Sequence, residues 1–101
     1  MTVEWSEEAA SQLRAIRDYL ARTSPGYAQV LAERIIQKTE ALGEFPRLGA
    51  EVPEYADERV REVFEHPYRI IYLVEGERAQ VLGVIHAARR LPRNPPASHS
   101  G

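Results

Sequence analysis

The chain of 101 residues has no cysteine, a single lysine and only two phenylalanines. Without cysteine there is no disulfide framework, no thiolate zinc site and no cysteine nucleophile. That composition fits a reducing compartment, and a cytoplasmic location is expected. No apolar run approaches the roughly 20 residues that span a bilayer, so no membrane contact is expected. No basic start is followed by an apolar run, so no signal peptide is expected. The standard catalytic fingerprints are missing too: there is no glycine-rich phosphate loop, no GxSxG and no HExxH. His66, His86 and His99 form no metal-ligand spacing, and neither a metal nor another cofactor is expected.

What is present is ordinary for one folded domain. Hydrophobic residues make up 44% and charged residues 28% of the chain. A domain of this length buries about 65% of its unfolded surface, which gives a thin core. The net charge of -2 hides an asymmetry. Residues 1–58 carry six basic and eleven acidic side chains, whereas residues 59–101 carry seven and four. Segregation of this kind steers a partner to one face, although solvated acidic helices produce the same pattern. All basic residues but Lys38 are arginines, whose planar donors suit phosphate or carboxylate.

Thr2 to Trp5 alternates and predicts a short strand. Ser6 is placed to cap a helix, with Glu7 and Glu8 in a first turn that favours acids. Ala9, Leu13, Ile16 and Leu20 recur at helical spacing. Ser24-Pro25 starts a second helix with the stripe Ala28, Leu31, Ile35 and Leu42, and Gly43 is the expected C-cap. The short link makes the two helices an antiparallel hairpin. Glu44 to Glu58 reads as a loop. Three strands follow, from Arg59 to Glu65, Tyr68 to Glu75 and Ala79 to His86. Glu75-Gly76-Glu77 turns the last two into a hairpin.

The expected fold is therefore α+β: an N-terminal strand, a helical hairpin, then a three-stranded antiparallel sheet with both helices on one face. One domain over 1–91 is expected, with a flexible tail over 92–101, which holds three prolines. The second sheet face is expected to stay open to solvent or a partner. Tyr68, Ile70, Tyr72 and Val74 alternate with Arg69, Ile71 and Leu73. Both sets are mostly apolar, so periodicity alone does not say which faces the helices.

The candidate site residues are cationic or aromatic. Arg69 sits among apolar neighbours in a central strand, where a charge is paired or functional. It contacts either an anionic partner or Glu62 or Glu65 of the adjacent strand. Arg61 shares a strand face with Arg59, and solvated edge charge is the ordinary alternative. His86 ends the last strand, where a histidine is a candidate for proton transfer or for a bond to a backbone carbonyl. Arg89 and Arg90 follow it, and Tyr68 precedes Arg69.

Taken together, these segments resemble the RelE/ParE superfamily of type II toxin–antitoxin toxins, some of which are called plasmid stabilisation proteins. The resemblance rests on Trp5-Ser6-Glu7-Glu8-Ala9, Phe45-Pro46-Arg47-Leu48-Gly49, Arg61, Pro67-Tyr68-Arg69-Ile70-Ile71-Tyr72, and Val84-Ile85-His86 with Arg89-Arg90. It implies an antitoxin as partner, wrapped over the open sheet face and the helical hairpin. It also implies one of two activities. RelE-like members cut messenger RNA on the ribosome, and ParE-like members poison DNA gyrase. One nuclease branch uses a glutamate, an arginine and a histidine, which Glu54, Arg69 and His86 would supply. The histidine of that branch falls near Ala87, however, and a one-residue slip reverses the face of a strand. RelE-like chains also tend to carry a lysine-rich loop, and here Lys38 stands alone in a helix. The resemblance is thus closer to ParE. It implies gyrase inhibition without chemistry of its own, through Arg61, Tyr68, Arg69, His86, Arg89 and Arg90 as contacts to target or antitoxin. A non-toxic binding module of the same fold is a further alternative.

Overall fold

The computed structural model describes residues 2–96. Strand β1 (Val3–Trp5) leads into α1 (Glu7–Ala21) and α2 (Pro25–Ala41). Then come β2 (Ala50–Glu51), β3 (Val60–Glu65), β4 (Tyr68–Glu75) and β5 (Arg78–His86). Ser6 caps α1 as its spacing predicts, its Oγ accepting from the Ala9 N–H at 3.1 Å. Pro25 opens α2 at its first turn. The helix ends differently from expectation. Leu42 is the C-cap in right-handed geometry, and the chain continues through turns rather than reversing at Gly43. Among the described residues only Gly76 has a positive φ, of 58°, in the tight β4–β5 turn where glycine carries no Cβ penalty.

The sheet has five strands in the order β1-β5-β4-β3-β2, two more than the expected three-stranded core. It is mixed: β1 runs parallel to β5 through Val3, Glu4 and Trp5, and the other pairings are antiparallel. The helical hairpin carries the chain across one face before it returns, and this crossover is what a parallel pairing needs. A bulge between Ile71 and Tyr72 places Leu82 as an extra residue on β5.

Both sheet faces are covered. On the helix side, Tyr68, Ile70, Val81 and Val84 pack with Ala9, Leu31 and Ile35, while Tyr72 and Val74 pack with Leu42. On the other side, Ile71 and Val60 pack with Val52, Tyr55 and Leu91. The expectation of an open second face is therefore corrected. Loop residues and the segment after β5 cover it, because an apolar row of Ile71, Leu73 and Ile85 demands a lid. This resolves the doubly apolar pattern of β4: each row meets its own apolar cover. Within the stretch expected to be a flexible tail, the Pro92 carbonyl accepts from the Tyr55 hydroxyl at 2.9 Å. Residues 97–101 lie outside the described residues.

Candidate functional site

Arg69 projects from the second face of β4 and is 8% exposed. Its Nε donates to Glu62 Oε1 at 2.6 Å. Its Nη1 and Nη2 donate to the two oxygens of Glu54 at 2.8 and 2.9 Å. Glu62 comes from β3, one diagonal step away, since Phe64 is the residue opposite Arg69. Glu54 comes from the loop that covers this face. The bidentate fork is the strong form of such a pair. The Arg69 guanidinium holds the Glu54 carboxyl down at about 2. In return the Glu54 carboxylate, aided by Glu62, raises the Arg69 pKa further against the opposing effect of burial. Of the two neighbours weighed from sequence, Glu62 makes the bond. The positive charge of Arg69 is spent on carboxylates of its own chain.

Arg61 is also committed internally. Its Nε donates to the Gly49 carbonyl at 2.9 Å and its Nη1 to the Glu58 carbonyl at 3.1 Å. The Gly49 N–H donates to the Tyr72 hydroxyl at 2.9 Å. Burial pushes the Tyr72 phenol upward, so it stays protonated. A Cβ at Gly49 would overlap the Glu62 carbonyl and lie 2.8 Å from the Tyr72 hydroxyl oxygen. Glycine is thus required by close approach. Together these contacts pin the end of the Phe45–Gly49 segment to the sheet.

The remaining candidates gather at another corner. Tyr68 pairs with His86 in register, and their rings meet edge-on at 5.5 Å and 82°. The His86 Nδ1 accepts from the Ala88 N–H at 3.0 Å, which leaves Nε2 to carry the proton of the neutral ring. Both residues line a cavity of about 430 Å³ with Ile16, Tyr19 and Arg89. Arg22 lies over the Tyr19 ring, 5.9 Å from its centre. Arg89 and Arg90 are exposed, and neither makes an ion pair among the described residues.

The sequence-predicted residues therefore divide into three places. Glu54 meets Arg69, Arg61 anchors a loop, and Tyr68, His86 and Arg89 share a corner. His86 does not join the Glu54–Arg69 pair. The β4–β5 register sets Tyr68 opposite His86 and Arg69 opposite Ile85, so the two groups lie on opposite faces of the sheet. No group of three His, Asp or Glu fit to hold a metal ion occurs among the described residues.

The family model described as ParE toxin of type II toxin–antitoxin system, parDE, matches residues 3–91. The chain belongs to the ParE toxin family. Toxin RelE2 of Caulobacter vibrioides is 36% identical over 88 residues, covering 86% of this chain and 96% of that relative. A solved structure titled "Chromosomal ParDE TA system from P. aeruginosa" superposes with a TM-score of 0.71 at 26% identity. The match spans 85% of this chain and 95% of that one. In this ParE family member the geometry adds residues that sequence reasoning did not single out as a site. Tyr72 and Gly49 hold the Phe45–Gly49 segment, and Tyr55 holds the segment after β5. The Phe45-Pro46-Arg47-Leu48-Gly49 run was the available signal for the first. No sequence signal marks the second, because Tyr55 and Pro92 are far apart along the chain.

Proposed function

We propose that this ParE family chain is the toxin of a type II toxin–antitoxin pair, that it acts in the cytoplasm by inhibiting DNA gyrase, and that a cognate antitoxin neutralises it. The observation that carries this reading against RNA cleavage is the separation of His86 from Glu54 and Arg69 by the sheet. RNA cleavage needs a base and an acid at one scissile bond. A histidine on one face and a carboxylate clamped by arginine on the other do not supply that pair. The reading leaves a toxin that works by binding. Its target-facing groups are the exposed ones, His86, Arg89 and Arg90, and Tyr68 supports His86 from the core beneath it. Arg61 and Arg69 act through the loops they hold.

A ribosome-dependent RNA endonuclease is the second reading. It is favoured by the direct Glu54–Arg69 contact and by the name of the relative, Toxin RelE2. One experiment separates the two. Purified chain is mixed with gyrase, ATP and plasmid, and scored for lost supercoiling and trapped cleaved DNA. Inhibition that antitoxin reverses is expected. Intact supercoiling at excess toxin, with cleavage of ribosome-bound messenger RNA, would overturn the gyrase reading. A chain inactive in both assays, and harmless when expressed, is the binding module.

A further inference from the structure

The turn that follows β5 is exposed, yet its N–H groups are bonded one after another. The Ala87 N–H donates to the Pro67 carbonyl at 2.8 Å, which ties the turn to the start of β4. The Ala88 N–H donates to His86 Nδ1 at 3.0 Å, and the Arg89 N–H to the His86 carbonyl at 2.9 Å. These bonds fix a side chain as well as a backbone. The His86 ring has one nitrogen occupied and is braced edge-on by Tyr68, so it offers its Nε2–H in one orientation. The same turn brings the Arg89 side chain back beside the ring, on the wall of one cavity.

That cavity has a volume of about 430 Å³, within the range of small-molecule sites. Its α1 wall is a single helical stripe, Gln12, Ala15, Ile16 and Tyr19. Ile16 and Val84 make part of the lining apolar. Two aromatic rings stand on it: Tyr68, which is buried, and Tyr19, which is 67% exposed. Every polar side chain on the wall can donate a hydrogen bond. Gln12 has its oxygen engaged by the Val84 N–H at 2.8 Å, which leaves its amide nitrogen as donor. Burial, with the neighbouring Tyr27 and Tyr19, pushes the Tyr68 phenol upward, so it stays protonated. His86 and Arg89 supply the rest. None of the lining residues is acidic, although the chain carries 15 acidic side chains. Glu65, opposite Tyr68 on β3, lines the groove beside α2 instead.

Donors without a carboxylate call for an anion, and the aromatic and apolar lining calls for a flat ring attached to it. We propose that the cavity between α1 and the end of β5 binds a ring-bearing phosphate ester of the size of a nucleoside 5′-monophosphate. Its phosphate meets the Arg89 guanidinium and the His86 Nε2–H, and its ring lies against Tyr19 and Ile16. The same chemistry is offered by a free mononucleotide and by the 5′-phosphorylated end of a strand. The site goes beyond the gyrase reading and does not depend on it.

The test is calorimetric titration of the purified chain with AMP, adenosine and inorganic phosphate. AMP should bind with a Kd of about 1 mM or tighter, and adenosine and phosphate each on the order of tenfold more weakly. Arg89→Ala and Tyr19→Ala change exposed side chains, and circular dichroism checks their fold. Each should weaken AMP by on the order of tenfold. No heat with AMP at several millimolar would overturn the site. So would adenosine or phosphate binding as tightly as AMP, or AMP affinity within about twofold of wild type in both variants. An oligonucleotide with a 5′-phosphate that binds more tightly than AMP would make the strand end the source, and one that binds no better would make it the free nucleotide. Binding is read on the chain alone. A failed titration therefore leaves the gyrase reading standing, and a failed gyrase assay leaves the site standing.

Discussion

Arg69 shows how an arginine that looks like a binding group can be consumed by its own fold. Its guanidinium reaches both Glu54 and Glu62, and Glu62 is buried. Removing one partner of a buried pair strands the other charge. Arg69→Ala is therefore expected to cost about 3 kcal/mol in urea denaturation. An unchanged midpoint would mean that the triad holds nothing. Glu54 adds a pH dependence of known sign. Its folded pKa of about 2 lies below the unfolded 4.5. Its contribution is fully present above pH 4.5 and is lost as pH falls from 4.5 toward 2. Because Glu54 is half exposed, solvent screening reduces that contribution to about 1 kcal/mol. Glu54→Gln should flatten this limb of the stability–pH curve, and equal acid limbs in both proteins would count against it. Arg69 stood out in the sequence as a charge in an apolar run. Glu62 was one of the two strand neighbours the sequence offered as its partner, whereas the ion pair with Glu54, fifteen residues away in a loop, is made by the fold.

At the scale of elements, the informative piece is the connection from α2 to β2. Composition marks Glu44 to Glu58 as loop, and composition is where sequence reasoning stops. The structure turns its first part into a fixed platform through one glycine, one tyrosine and one arginine. Gly49→Ala is expected to cost about 2 kcal/mol, because a Cβ cannot share space with the Glu62 carbonyl. Tyr72→Phe should cost about 1 kcal/mol through the lost Gly49 bond. Thermal melts of both variants check the order, and a neutral Gly49→Ala would show that the loop is not pinned there. Helices α1 and α2 were legible because Ser6, Pro25 and the apolar spacing all act locally. The two-residue β2 was not, since its pairing to β3 is its only cause.

Across the whole molecule, the sheet lies between two unequal covers. The helical hairpin forms one, and the second is assembled from Val52, Tyr55 and Leu91. The chain after β5 thereby closes the fold. Leu91→Ala is expected to cost about 2–3 kcal/mol and to speed hydrogen exchange in β4 around Ile71. Exchange as slow as in wild type would show that the second cover is dispensable. This cover closes the face that the sequence reading had left open to solvent or a partner.

The order of the two helices and of every strand but β2, the Ser6 cap, the Pro25 helix start, the hairpin turn at Gly76 and the resemblance to RelE/ParE toxins were all determined by the sequence itself. They depend on side chains within a few residues of one another, or on motifs in a fixed order. Only the tertiary structure decided which face of β4 meets the helices, where the charge of Arg69 goes and on which side His86 falls. Those outcomes depend on strand register and on a bulge at Ile71–Tyr72. Register is set by contacts between segments far apart in the chain, and a shift of a single residue would have exchanged the faces.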